Sequence, residues 1–263
     1  MCLINFSFHN HPQYKLIVAA NRDEQYARPT APAHFWEDYP NILAGRDLLQ
    51  MGTWFGITKQ GRIAALTNYR DPKQSPEGKI SRGKIITNYL LSQEHPRLFL
   101  ASLDQEHDRY QGFNIIVGDE EQLYYYNNLK RQIIPIEPGI HGVSNHMLNT
   151  PWPKVQKGKQ FLNRYLANTK IDEEHLFAML QDDEIAPDEA LPDTGVGIEL
   201  ERRLSPLFIR MPEYGTRSST VLLIDQSNQV TFIERTFKQG KFASEVRFSF
   251  QIKKPDQRPL SDL

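Results

Sequence analysis

The chain has 263 residues, of which 39% are hydrophobic and 24% are charged, a composition typical of a folded globular protein and not of a disordered chain. Its 31 basic and 32 acidic residues give a formal net charge of -1, so the bulk charge does not favour nucleic acid or an anionic membrane as a partner. Cys2 is the single cysteine, which excludes internal disulfides and CxxC sites and predicts a cytoplasmic location.

Strands are predicted for the first part of the chain. Apolar runs at residues 3–8 and 15–20 are separated by a short polar segment, which predicts an antiparallel hairpin. The stretch that follows, residues 21–52, is rich in Pro, Arg and Asp and is expected to form a long functional loop. A second hairpin is predicted from the runs at residues 54–58 and 63–68.

Helices are predicted for the middle of the chain, and strands return towards its end. Because the strands and helices are grouped instead of alternating, an α+β fold is favoured over a doubly wound one. We predict a single domain over residues 1–263, in which residues 252–263 form a frayed tail. No apolar run approaches the roughly 20 residues of a transmembrane helix. The predicted helices start at Ser81 and Pro96 and cover residues 153–166 and 173–180, and the later predicted strands cover residues 113–117, 123–127, 131–136, 140–144, 220–225, 230–235 and 246–252.

Several common catalytic motifs are missing from the sequence. It contains no glycine-rich phosphate loop, no HExxH or EF-hand loop and no GxSxG elbow, which disfavours P-loop enzymes, zinc proteases and elbow-type serine hydrolases. The histidine pairs His9 with His11 and His141 with His146 lack a spacing specific enough to predict a metal site, and we expect none.

Cys2 is the residue with the most informative chemistry. A cysteine at position 2 is small enough to permit removal of the initiator methionine, which leaves a free α-amine on the residue that carries the thiol. One residue then supplies both a nucleophile and a base. The alternative interpretation is a small apolar residue at the start of a strand.

Charged residues follow directly after the second predicted strand. If residues 3–8 and 15–20 pair as a hairpin, Arg22 and Asp23 return to the neighbourhood of Cys2. Asp23 could then accept a hydrogen bond from the α-ammonium, and Arg22 could lower the pKa of the thiol. The alternative is a solvated turn, which is the usual setting of a charged run.

These residues belong to an ordered series of motifs along the chain. The motifs are Met1-Cys2, Asn21-Arg22-Asp23-Glu24, Arg28-Pro29, Ala44-Gly45-Arg46-Asp47, Gly52-Thr53-Trp54-Phe55-Gly56, Ala65-Leu66-Thr67-Asn68-Tyr69-Arg70, Ser81-Arg82-Gly83, Gly142-Val143-Ser144-Asn145 and Tyr214-Gly215-Thr216-Arg217-Ser218-Ser219-Thr220. With this series the chain resembles the NRDE family, also called the transport-and-Golgi-organisation family. The resemblance extends to about Arg235 and implies a four-layer αββα sandwich of the N-terminal-nucleophile (Ntn) hydrolase type, with two mainly antiparallel sheets between helical layers.

The family is also similar to the cysteine Ntn amidases that cleave bile-salt and penicillin amides, and this similarity implies roles for individual residues. Cys2 is the implied nucleophile, with Asp23, Asn68, Asn145 and Arg217 completing the catalytic set. The amidases carry an arginine shortly before the acid, where this chain has an alanine, and Arg22 is expected to take its place.

Further residues are expected to contact a substrate. Arg217 and Arg46 could each bind a substrate carboxylate bidentately, or instead pair with surface acids. Trp54 is expected to form an aromatic wall, although a core tryptophan is the common alternative. The remaining expected substrate-binding residues are Arg22, Tyr69 and His146, and the Asn68-Tyr69 and Asn145-His146 pairs could equally be turn residues that bind their own backbone.

Two functions follow as competing hypotheses. The first is hydrolysis of a linear amide of a small molecule through a thioester on Cys2, with no cofactor. The second, which rests on the resemblance alone, is a carrier of haem or of a lipid or acyl ligand, in which Cys2 or His146 ligates iron or lines an apolar groove. A structural scaffold is a third, and the sequence leaves the oligomeric state open.

Overall fold

The computed structural model describes residues 2–73, 75, 77–167 and 170–254, which contain thirteen strands and five α-helices. No helix in these ranges combines the length and the apolar composition that crossing a bilayer requires. The strands are β1 (Cys2–Phe8), β2 (Tyr14–Gln25), β3 (Thr30–Phe35), β4 (Ile42–Asp47), β5 (Phe55–Thr58), β6 (Ile63–Asn68), β7 (Phe113–Gly118), β8 (Leu123–Asn127), β9 (Gln132–Pro135), β10 (Gly139–Val143), β11 (Tyr214–Asp225), β12 (Gln229–Lys238) and β13 (Lys241–Gln251), and the helices are α1 (Gly83–Leu91), α2 (Pro96–Gln105), α3 (Pro153–Tyr165), α4 (Glu173–Leu180) and α5 (Ile198–Leu204).

The strands form two antiparallel sheets. The first has six strands in the order β10-β1-β2-β11-β12-β13, so the N-terminal hairpin is joined to the last three strands through the pairing of β2 with β11. The second has seven strands, β3 to β9, each hydrogen-bonded to its neighbours in sequence. Short connections between sequential antiparallel strands explain why this second sheet is a simple meander.

Three apolar layers hold the sheets and helices together. Alternate residues of β1 point to opposite faces of its sheet, so Ile4 and Phe6 enter the core between the two sheets while Leu3 enters the core under α3 and α4. A third core joins the seven-stranded sheet to α1 and α2. The result is a helix–sheet–sheet–helix sandwich, and the predicted α+β, four-layer architecture is confirmed.

The prediction of one long loop over residues 21–52 is wrong. β2 continues through Arg22 and Asp23 to Gln25, and the same stretch contains β3 and β4. Their apolar runs are short, since β3 has one buried residue, Ala33, and only the first three residues of β4 are buried, so polar and charged residues dominate the pattern of this stretch. The structure also contains α5, which the sequence did not predict, and begins β11 at Tyr214 instead of residue 220.

The predicted frayed tail starts too early. Ile252 is buried, and its amide donates to the carbonyl of Asn228 at 3.1 Å. Lys254 forms an ion pair of 2.7 Å with the fully buried Glu120. The remainder of the predicted tail, residues 255–263, lies outside the described residues.

Candidate active site

Cys2 is the first residue of β1 and lies directly opposite Arg22 of β2. Its side chain is on the face of the sheet that packs against the other sheet, and it is 8% exposed. The predicted hairpin therefore brings Arg22 and Asp23 beside the cysteine, as the sequence indicated.

A cavity of about 840 Å³ opens at this point between the two sheets. Its wall includes β2 and β12 of the first sheet, and β4 of the second sheet together with the segment that leads into α1. Of the predicted site residues, the following line this cavity: Cys2, Arg22, Asp23, Arg46, Trp54, Asn68 and Arg217.

Asp23 is buried at the end of the cavity beside Cys2. Its Oδ1 accepts a hydrogen bond of 2.7 Å from the hydroxyl of Thr216, which stands opposite it on β11. The same hydroxyl accepts a bond of 2.9 Å from the amide of Ile209, so its orientation is fixed. Burial raises the pKa of the Asp23 carboxyl, and nearby cations oppose that rise.

The thiol of Cys2 also has a raised pKa. Burial is the main cause, and the negative charge of Asp23 adds to it. Arg22 acts in the direction that the sequence predicted and lowers the pKa, as does a hydrogen bond from the backbone amide of Asp23, but burial outweighs both. Burial therefore favours the neutral thiol over the thiolate.

Asn145 is fully buried and is not part of the cavity wall. Its Nδ2 donates to the carbonyl of Asn68 at 2.9 Å. The Ser144 hydroxyl lies 3.1 Å from its Oδ1 and 3.0 Å from the carbonyl oxygen of Cys2, and the single hydrogen of that hydroxyl is shared between these two acceptors. Asn145 thus links the backbones of Cys2 and Asn68, whereas Asn68 itself lines the cavity.

Arg217 occupies a bulge in β11, between the partners of Asp23 and Arg22. Its Nη1 donates to the carbonyls of Gln25, Tyr26 and Arg28, and its Nη2 donates to the Thr30 hydroxyl. These bonds hold the connection between β2 and β3 against the first sheet. In the structure these donors therefore bind the protein itself, and the role of Arg217 in binding a substrate carboxylate stays a prediction.

Arg46 and Trp54 form part of the opposite wall. The guanidinium of Arg46 makes a two-pronged ion pair with Asp38, at 2.7 and 2.6 Å, and lies over the ring of Trp36. Trp54 is 9% exposed and belongs to the core between the sheets, with one edge on the cavity.

Tyr69 and His146 lie apart from the cavity. Their rings are 5.0 Å apart, and His146 also contacts Trp152 and the Thr150 hydroxyl. Burial lowers the pKa of the imidazole. The structure therefore does not bring these two predicted substrate-binding residues to the wall that Cys2 shares.

Three charged residues near Cys2 were not predicted as site residues. Arg82 lines the cavity, donates to the carbonyl of Gly112 at 3.0 Å and interacts electrostatically with Cys2. Glu234 of β12 is buried in the cavity wall, and Lys154 of α3 is buried near Asp23. Arg82 belongs to the motif Ser81-Arg82-Gly83, from which it could have been predicted as a site residue. Lys154 and Glu234 lie in ordinary helix and strand patterns, which gave no such indication.

Comparison with known proteins identifies the family. The sequence model of the protein family Transport and Golgi organisation 2 matches residues 1–239. The chain belongs to the Transport and Golgi organisation 2 family. The human homologue is 37% identical over 258 residues, covering 90% of this chain and 93% of the relative, and the bovine homologue is 36% identical with the same coverage.

The Transport and Golgi organisation 2 fold is also found in a solved hydrolase structure. The C2A mutant of the conjugated bile acid hydrolase from Clostridium perfringens aligns with a TM-score of 0.54, over 97% of this chain and 98% of that one. The two sequences are 8% identical, so the likeness concerns the fold. This chain therefore has the Ntn-hydrolase fold in a family whose named members are transport and Golgi organisation proteins.

Proposed function

We propose that this chain is a cytoplasmic N-terminal-cysteine hydrolase that cleaves a linear amide of a small molecule. The observation that carries the proposal is the position of Cys2, at the start of β1 and in the wall of a cavity of about 840 Å³. A solved structure that shares this fold is the C2A mutant of a conjugated bile acid hydrolase. That fold similarity supports the proposal and does not name a substrate for this chain.

The reaction would use the two groups of a processed Cys2. The sulfur attacks the amide carbonyl while the thiol proton passes to the α-amine and then to the leaving nitrogen, so that the C–N bond breaks and a thioester forms. Water next attacks the thioester, which releases a carboxylic acid and restores the thiol. A thiol whose pKa is raised by burial suits this sequence, because the base is on the same residue and removes the proton during attack.

The remaining residues would orient and stabilise these groups. Asp23 accepts from Thr216, and in this reaction it would also accept from the α-amine of Cys2. Asn68 is the predicted amide donor that lines the cavity, where it could stabilise an oxyanion. Asn145 and Ser144 fix the backbone of that donor and of Cys2.

Mass spectrometry of the native protein tests the proposal directly. We expect the intact mass to lack Met1 and to gain one carbamidomethyl group after treatment with iodoacetamide, since Cys2 is the single cysteine. A panel of linear N-acyl amides should then be hydrolysed by the untreated protein, with C2A at the uncatalysed rate and C2S reduced by at least about 100-fold. Retention of Met1 on protein that hydrolyses amides, or full activity of C2A, would contradict the proposal.

Haem or apolar-ligand binding stays a prediction of the sequence and is not proposed as a second function. The cavity wall contains several charged side chains, and His146 is outside it. Titration with haem, followed in the Soret band, remains the measurement that decides this alternative.

A further inference from the structure

The face of the first sheet that carries Asp23 is the one covered by α3 and α4. Asn21, two residues earlier on β2, donates from its side chain to the carbonyls of Leu180 and Leu207 at 2.8 Å each. Because side chains two residues apart on a strand share a face, Asp23 also faces the helical layer. Cys2 is on the other face, so a group from a helix can reach the acid without entering the cavity.

Lys154 is such a group. It lies in the first turn of α3, and its position, with Val155, Gly158 and Leu162, belongs to the stripe of buried residues that packs on the sheet. The residue is 2% exposed, and its Nζ has no hydrogen-bond partner among the described residues. A buried ammonium without a hydrogen-bond partner is unfavourable for folding, so a nearby negative charge is needed to compensate it.

The anionic neighbours of this ammonium are not equivalent. Glu201 is already paired with Arg70 at 2.6 Å, and both are buried, so its charge is largely matched. The negative group with the largest effect on Lys154 is Asp23. In turn, Lys154 is the cation that most strongly opposes the rise in the pKa of the Asp23 carboxyl. The other charged and titratable groups that interact electrostatically with this pair are Cys2, Arg22, Arg70, Glu201 and Tyr214.

We propose that Lys154 is a positioning residue of the Cys2 centre, whose buried ammonium is the counter-ion that keeps the Asp23 side chain a carboxylate at neutral pH. Burial lowers the pKa of Lys154 to about 8, so the ammonium still predominates at pH 7. The ionised acid then accepts a hydrogen bond from the α-amine of a processed Cys2, and this consequence rests on the proposed hydrolase function. The interaction between the charges of Lys154 and Asp23 is independent of that function.

The experiment measures the titration of Asp23 without a substrate. Protein labelled with ¹³C at the aspartate carboxyl groups is titrated by NMR, and the Asp23 signal is assigned from its loss in D23N. In K154M and K154Q we expect the midpoint of Asp23 to rise by at least about one pH unit, which is a tenfold change in proton affinity. K154R keeps the charge and is expected to return the midpoint towards the wild-type value.

K157M is the matched control, since Lys157 lies one turn from Lys154 near the surface and pairs with Asp182 and Glu184. It should leave the Asp23 midpoint unchanged. Melting curves confirm that each variant is folded, and K154Q takes the place of K154M if the latter is not. An unchanged midpoint in the folded uncharged variant would overturn the proposal.

Amide hydrolysis by the same variants separates this proposal from the proposed function. If the wild type hydrolyses amides, the acid limb of its pH–rate profile should move with the Asp23 midpoint in K154M. If the wild type hydrolyses none of the amides, the hydrolase function is contradicted, whereas the NMR midpoints still decide whether Lys154 is the counter-ion of Asp23.

Discussion

Asp23 is held by neighbours of two kinds, a hydroxyl from the adjacent strand and a cation from a helix. The hydroxyl of Thr216 serves the acid and the backbone amide of Ile209 at once. A buried carboxylate gains from each such donor because no water is available to replace it. The geometry of the acid therefore depends on β11 as much as on the NRDE segment that contains it.

Replacement of Thr216 by Val tests that dependence. The change keeps the shape of the side chain but removes the donor to Asp23 and the acceptor for Ile209, so we expect a loss of about 1–3 kcal/mol in the free energy of unfolding. Denaturant unfolding at pH 7 measures it. T231V, at a half-buried position on the neighbouring strand, should change stability by less than about 0.5 kcal/mol. Equal stabilities for T216V and the wild type would refute this account.

The sequence predicted the site residues that adjoin Cys2 along the chain or carry a family motif. Arg22 and Asp23 were predictable because the predicted hairpin returns the end of its second strand to Cys2, and the register of β1 and β2 places Arg22 directly opposite that residue. Lys154 was not, because a lysine in the first turn of an amphipathic helix is ordinarily solvated, and only the packing of α3 shows that this one is buried. His146 was expected to contact a substrate, yet it lies beside Trp152, away from the cavity.

At the scale of elements, the contact between α3 and β1 determines where Lys154 lies. Gly158, one turn after Lys154, faces Asn5 so closely that a Cβ there would be 2.5 Å from Asn5 Cγ. Asn5 has no room to move, since a Cβ at Gly142 would likewise be 2.7 Å from its Oδ1. Helix and strand thus approach at a distance that only glycine permits.

Replacement of Gly158 by Ala is therefore expected to destabilise the protein, although alanine favours helix formation by up to about 1 kcal/mol. The overlap with Asn5 should exceed that gain and leave a net loss of about 1–3 kcal/mol. Thermal and denaturant unfolding measure it. Q160A, on the exposed side of the same helix, should be neutral or slightly stabilising. A G158A variant more stable than the wild type would show that α3 can shift without cost.

Elements with strong apolar periodicity were predictable, and those whose formation depends on distant partners were not. The strands at residues 113–117 and 123–127 lie within one residue of β7 and β8, because their side chains are buried on both faces. β3 contains Pro32 and half-exposed residues, so its strand character comes from pairing with β4. The helix α5 is short, and its buried Glu201 gives it a pattern unlike that of an amphipathic helix.

At the scale of the molecule, the cavity lies between the two sheets, and its wall contains a polar contact that joins them. Glu234 of β12 accepts a hydrogen bond of 2.7 Å from the amide of Ala33 on β3 and one of 3.3 Å from the Thr220 hydroxyl. The carboxyl of this residue is thus both part of the cavity wall and a link between the sheets.

The charge of Glu234 makes this link dependent on pH. Burial raises the pKa of the carboxyl, so the folded protein binds a proton more tightly than the unfolded chain does. The contribution to stability is therefore present below the unfolded pKa, near 4.5, and is lost as the pH rises through the folded pKa. A glutamine keeps the acceptor for Ala33 without the charge, and it removes this pH dependence.

We therefore expect E234Q to be more stable than the wild type at pH 8, by about 1–2 kcal/mol, and the difference to shrink as the pH falls towards 4.5. Denaturant unfolding at a series of pH values measures the two curves. E189Q, at an exposed position, should follow the wild type throughout. A difference that is constant with pH would mean that Glu234 is ionised equally in both states, and a less stable E234Q at pH 8 would mean that its charge holds the sheets together.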